Sequence, residues 1–190
     1  MRKNLSIMAA LVLICATLSY PDPTEACRRV TPISLDEICI KADAIVRATA
    51  IKYIKPPVGE IRQLNTPGNV EIQFDIKQVI KGKNVPSTIV INGYLTNFDD
   101  FNDRPVPYDF VRPGGRHGNC EAYEYKQGAE FLLFLKIIEG KLTLYRDALS
   151  PVNEQLHSAE DGWILWVQKH LKKLKKKERD AEDRQSRRQG

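Results

Sequence analysis

Val70-Glu71-Ile72-Gln73-Phe74-Asp75-Ile76-Lys77 alternates apolar and charged or amide side chains without interruption. Successive side chains of a strand point to opposite faces, so this stretch has one buried face and one wet face. It continues through Val79 and Ile80 and stops at Gly82. A half-buried strand requires a sheet with a core on one side, and the flanking sequence supplies the other strands. Upstream, Ala44 to Ile54 is rich in β-branched residues and partly alternating; the intervening residues 55–68 hold Pro56, Pro57, Gly59, Pro67 and Gly68 and read as a loop. Downstream, Thr88-Ile89-Val90-Ile91 is a third strand. The apolar run Glu130 to Lys136 is a fourth, and Gly140 turns it into a fifth at Leu142 to Tyr145. No helix is interposed between these strands, so a parallel βαβ arrangement is excluded.

Two helical segments frame the strands. Ser34-Leu35-Asp36-Glu37 fits a helix cap followed by acidic first-turn residues, so residues 34–41 are expected to form a short helical turn. Near the other end Leu156, Ala159, Trp163, Val167, Leu171 and Leu174 recur at helical spacing, widened by Ile164 and Trp166. Such a stripe has to be covered, which predicts a helix lying on the sheet with Trp163 buried. Beyond Leu174 apolar anchors cease, and residues 171–190 read as a basic tail, frayed or disordered. Five short strands and a terminal helix predict a mainly β fold: a five-stranded OB-fold-like Greek-key barrel with a C-terminal helix packed on it.

The 190 residues are 42% hydrophobic and 28% charged, enough for one domain with a real core. The formal charge of +5 is unevenly placed. Residues 169–190 carry ten Lys/Arg against four Asp/Glu, while residues 1–26 are balanced by Arg2, Lys3, Asp22 and Glu25; residues 27–168 are left with a net charge of −1. The basic character therefore belongs to the tail, and no nucleic-acid footprint covers the fold.

Arg2 and Lys3 followed by the apolar stretch Ile7 to Leu18 read as a secretory signal, too short to span a bilayer comfortably. Thr24-Glu25-Ala26 places small residues before a cut that makes Cys27 the first mature residue; a rival cut falls after Ser19. The expected organisation is a signal peptide at 1–26, a domain at 27–170 and the tail at 171–190. The expected location is outside the cytoplasm, extracellular or periplasmic, with no stable membrane anchor after cleavage. Cys15 leaves with the leader, and Cys27, Cys39 and Cys120 remain in an oxidising compartment. Three cysteines allow one bridge plus one free or intermolecular thiol.

Catalysis is not expected. The chain has no nucleophile–base motif and no Gly-rich phosphate loop, and His117, His157 and His170 are scattered. His117 lies near Cys120 without a second ligand pair, so it reads as a loop residue and no resident metal or cofactor is implied. Asp99, Asp100 and Asp103 cluster without the spacing of a calcium loop and read as a solvated turn. Residues 94–119 form a long loop bearing Tyr94, Phe98, Phe101, Tyr108 and Phe110, a candidate partner-binding loop or a cover over one barrel end.

Cys27-Arg28-Arg29, followed by Cys39-Ile40-Lys41-Ala42-Asp43-Ala44-Ile45-Val46-Arg47-Ala48, resembles the start of the tissue inhibitors of metalloproteinases (TIMPs) and their netrin-like relatives. Ile80-Lys81-Gly82 is similar to the end of that family's second strand, and Gly118-Asn119-Cys120 to its later cysteine before a strand. The resemblance covers about residues 27–147, a single domain. It implies an OB-like barrel and a Cys27–Cys120 bridge, with Cys39 free and buried; a Cys39–Cys120 pairing is the competing arrangement. It further implies an inhibitory ridge of Cys27, Arg28, Arg29, Val30, Thr31 and Pro32. The amine and carbonyl of Cys27 would ligate the zinc of a bound metalloprotease, and Arg28 would enter that enzyme's side-chain pocket. Arg29 stands where the family usually has a second cysteine, and Arg28 where it has a small or apolar residue, so a pocket with a carboxylate is the expected match. The partner is then a secreted zinc metalloprotease. The alternative is a non-inhibitory netrin-like module that binds another extracytoplasmic protein.

Overall fold

The computed structural model describes residues 33–58, 68–116 and 120–189. The expected leader, the ridge Cys27 to Pro32 and the loop residue His117 lie outside the described residues. Within them the fold is mainly β: a six-stranded antiparallel sheet, a short parallel pair and a C-terminal helix.

The first helix, α1 (Leu35–Lys41), forms where the cap sequence places it. The Ser34 hydroxyl accepts from Glu37 N at 3.2 Å, and Asp36 and Glu37 occupy the positive end of the helix. The other end is closed from a distance. Lys81 Nζ donates to the carbonyls of Cys39, Ile40 and Ala42 at 2.8, 2.8 and 2.6 Å, so one ammonium satisfies acceptors that the last turn leaves open.

The strands of the large sheet are β1 (Ala44–Lys55), β2 (Glu71–Lys81), β3 (Thr88–Asn92), β6 (Glu130–Ile138), β7 (Lys141–Leu144) and β8 (Asn153–Gln155). Their spatial order is β3-β2-β1-β6-β7, with β8 also on β6, and every pairing is antiparallel. The outer strands β3 and β7 approach one another, so the sheet is strongly curled. Curling arises between β1 and β2, where the register shifts four times. Each shift inserts an unpaired residue and increases local twist. It also explains where the alternation of β2 stops predicting burial. Ile72 and Phe74 are fully buried, but Ile76, next to the bulged Lys77, is only half-buried, and Val79 beyond the bulge is exposed.

The sequence predicts five strands, and eight are present among the described residues. The five expected ones are β1, β2, β3, β6 and β7. The additional strands, β4 (Tyr94–Thr96), β5 (Glu124–Lys126) and β8, have three residues each. Three residues hold too little periodicity to be read, and pairing with distant partners defines them. β4 and β5 pair in parallel, which turns the start of the expected loop 94–119 into structure. Gly93 makes that turn possible: a Cβ there would lie 2.5 Å from the Tyr125 ring and 2.6 Å from the Tyr123 carbonyl.

Most of the buried apolar residues form one large cluster, with two small ones around Tyr94 and Val111 beside it. Phe74, Tyr125 and Phe131 meet edge to face with centroids 5.1 to 6.0 Å apart. Against the same core lies α2 (Gly162–Gln189), whose Trp163, Ile164, Val167 and Leu171 are buried. Trp163 has no exposed surface and contacts Tyr108, Phe134 and Trp166. The helix starts later than the stripe suggests. Asp161 is the cap, accepting from Trp163 N at 2.8 Å and His157 N at 2.9 Å. Leu156 is buried directly after β8, and Ala159 is exposed in the turn before the helix. At the other end α2 continues to Gln189, through residues the sequence reads as a frayed tail. Lys, Arg, Glu and Ala propagate a helix well once packing has nucleated it. No side chain from Lys175 to Arg188 is buried. No helix among the described residues is long and apolar enough to cross a membrane.

Candidate functional site

The long segment between β4 and β5 is held down by one buried cation. Arg112 has no exposed surface. Its Nη1 pairs with Asp100, Nε donates to Asn153 O at 3.0 Å, and Nη2 donates to Glu124 O at 2.6 Å. Its guanidinium also lies 5.3 Å from the Tyr125 ring centre and 5.5 Å from that of Phe131. A planar fork with five donors suits such a site, because it can be satisfied from several directions at once. Asp100 in turn accepts from Gly114 N at 3.0 Å, and its own N donates to Gln155 Oε1 at 2.9 Å.

Glu154 is the second buried charge carrier. One carboxylate oxygen accepts from Arg112 N at 3.1 Å and the other from Asn102 Nδ2 at 2.8 Å; Asn102 Nδ2 also donates to Phe110 O at 2.8 Å. Burial pushes the Glu154 carboxyl up to about 7, with Arg112 and Asn102 opposing the shift. The physical reason is desolvation, because a dry site favours the neutral carboxyl; the neighbouring Asp100 carboxylate adds a smaller push in the same direction. The strand β8 supplies Asn153, Glu154 and Gln155 together, so three residues pin the loop to the sheet edge.

The acidic cluster of the sequence is thereby explained differently from a solvated turn. Asp99 pairs with Lys126 at 2.7 Å and accepts from Gln155 Nε2 at 2.5 Å; Asp103 pairs with Arg116 at 2.6 Å. These donors hold both carboxyls below the ordinary carboxylate range. Asp99, Asp100 and Asp103 each take a cation from the protein itself. No group of His, Cys, Asp and Glu suited to a metal ion occurs among the described residues.

The five loop aromatics mostly turn inward. Tyr94 and Tyr108 are buried, the latter against Trp163. Phe101 stacks on His157 with ring centres 3.9 Å apart. Phe110 is half-buried beneath Arg104 and Arg116. Phe98 is the exposed aromatic of the set, at 53%. The loop thus covers one end of the sheet, and its exposed aromatic surface is one ring.

Cys39 is free and buried in the core, and its thiol is pushed up to about 11 by that burial. The competing Cys39–Cys120 pairing is therefore not made. Cys120 has a left-handed backbone, φ 58°, and its carbonyl accepts from Leu149 N at 2.6 Å. The same connection after β7 receives the beginning of the described chain: Ile33 N donates to Asp147 Oδ2 at 3.4 Å. The segment leading out of the ridge and the cysteine expected to tether it thus converge on residues 147–149.

Arg112, Glu154, Asn102 and Asn153 are not legible as a site in the sequence. Asn102 and Arg112 lie 41 to 52 residues from Asn153 and Glu154, and nothing in their spacing joins them. No protein-family model matches this chain, and no curated protein matches it.

Proposed function

We propose that this protein is a secreted, TIMP-like inhibitor of a zinc endopeptidase, built on an OB-type Greek-key barrel. The strand path supports the barrel: β1, β2 and β3 form a meander, β6 returns beside β1, and β7 ends close to β3. The observation that carries the inhibitor reading is the convergence on residues 147–149. Six residue-to-residue steps lead from Cys27 to Ile33 and reach about 20 Å at most. From Asp147 that length lets Cys27 come to Cys120, whose carbonyl is bound by Leu149. Cys39 is a free thiol, so a bridge at Cys120 would be made with another cysteine. With Cys15 in the leader, Cys27 is the partner that the proposal assigns.

A bridged first residue would present its amine rigidly. α-Amino groups ordinarily titrate at about pH 8 and lose their proton readily at a metal, after which the amine and carbonyl of Cys27 together would displace the zinc-bound water. Arg28 would select a protease pocket that contains a carboxylate, because a buried guanidinium without one is strongly disfavoured. The rest of the ridge, Arg29 to Pro32, would lie along the cleft. Inhibition is preferred to a non-inhibitory netrin-like module because four of the five loop aromatics are taken up in packing.

The test combines N-terminal sequencing of the secreted protein with inhibition assays on zinc endopeptidases of acidic pocket. A start at Cys27 and inhibition that disappears when one Ala precedes Cys27 are expected. A different start, or equal inhibition by the extended protein, removes the proposed ligand and the reading with it.

A further inference from the structure

The outer face of α2 carries a feature that neither the fold nor the inhibitor reading uses. At 100° per residue, Lys169, Lys172, Lys173, Lys176 and Arg179 fall on the side opposite Trp163, Val167, Leu171 and Leu174. All five are exposed, and none makes an ion pair among the described residues. They span about 15 Å of helix axis. The carboxylate within that span, Glu178, sits on the opposite side, beside Cys39 and Lys81. The stripe is therefore unbroken by negative charge until Asp180.

At its N-terminal end the stripe acquires an apolar tip. Leu165, four residues before Lys169, is 55% exposed on the same face. Val106 from the long loop is also exposed and comes up beside Gly162, 3.6 Å from where a Cβ there would be. A linear polyanion gains nothing from two exposed aliphatic side chains at the end of a cationic row. A bilayer interface does: it takes aliphatic side chains at the acyl boundary while lysine stems keep their ammoniums among the headgroups. The rest of the domain, residues 27–168, carries a net charge of −1, so the excess of positive charge lies on this helix.

We propose that the outer face of α2 is a docking surface for an anionic lipid bilayer. Lys169, Lys172, Lys173, Lys176 and Arg179 meet the headgroups, and Leu165 enters the interface. The attachment is peripheral and reversible, because the apolar face of the helix is spent on the core. Each cation near an anionic surface raises partitioning roughly fivefold, so the row together is sufficient for binding at modest ionic strength.

The test is co-sedimentation of the full chain with vesicles of phosphatidylglycerol and phosphatidylcholine, about 3:7, against pure phosphatidylcholine. Sedimentation with the anionic vesicles alone is expected, released when salt rises from about 0.1 M to about 0.5 M. Lys169→Gln, Lys172→Gln, Lys173→Gln and Lys176→Gln combined should lower partitioning by roughly several hundred-fold with an unchanged thermal midpoint. Should that variant fold poorly, Lys169→Gln and Lys176→Gln singly should each lower it about fivefold. No sedimentation, equal binding to neutral vesicles, or undiminished binding by the glutamine variants overturns the proposal. Retention on a sulfated polysaccharide or DNA column without vesicle binding overturns it too and assigns the stripe to a linear polyanion.

Discussion

Arg112 and Glu154 show how far a single side chain can be from what its sequence neighbours suggest. Arg112 stands before Pro113 in a stretch rich in Pro and Gly, where a guanidinium would ordinarily be wet. Instead it is fully buried and joins Asp100, Asn153 and Glu124 across the loop. Replacing it by Leu leaves the Asp100 carboxylate and two carbonyls in a dry site without their side-chain donor, while Glu154 keeps the backbone N–H of residue 112. The expected loss is about 3–5 kcal/mol, read as a lower urea midpoint. Glu154 predicts a pH dependence of definite sign. Its folded-state pKa of about 7 lies above the ordinary 4.5. Between those values the folded chain holds a proton that the unfolded chain has released, so stability falls as pH rises through that window. The group's contribution is on the order of 3 kcal/mol. In Glu154→Gln the difference from the parent protein should vary with pH between about 4.5 and 7 and be flat above. A constant difference across the window would show that Glu154 keeps its charge when folded. Neither residue was legible, because desolvation is a property of what surrounds a side chain and the sequence lists only what precedes and follows it.

At the scale of elements, legibility followed length and periodicity. β2 and α1 could be read because each satisfies a local rule, period-two alternation in one and a capped acidic first turn in the other. β4, β5 and β8 could not, since three residues form a strand through partners up to dozens of positions away. The boundaries of α2 were displaced for two separate reasons. Its beginning is set by Asp161, whose carboxylate binds His157 N and Trp163 N, and the apolar spacing of Leu156 and Ala159 with the stripe was coincidental. Its end is set by propensity and not by contacts. Truncation after Lys177 should therefore change stability by about 0.5 kcal/mol or less, with loss of helical ellipticity. Truncation before Leu171 removes Leu171 and the half-buried Leu174 and should lower stability by about 2–5 kcal/mol. Equal effects of the two truncations would mean that the distal helix packs on something.

The whole molecule is a curled antiparallel sheet whose ends approach, closed on one side by α2 and at one end by the long loop. Its proposed activity depends on a chain start that this frame would hold from outside, through residues 147–149 and Cys120, and its proposed lipid docking on a helix face that the frame leaves bare. The two are separable: an added N-terminal Ala should abolish inhibition and spare vesicle binding, and the lysine variants should do the reverse. Among the described residues, five of the eight strands, both α-helices and the burial of Trp163 followed from the order of residues alone, because alternation, capping and helical spacing are enforced within a few residues of chain. The inward turn of the loop aromatics, the pairing of Asp99, Asp100 and Asp103 with the protein's own cations, and the unusual ionisation of Glu154 were decided only when distant segments came together, because the energy of a polar group depends on whether its partners and water share its space.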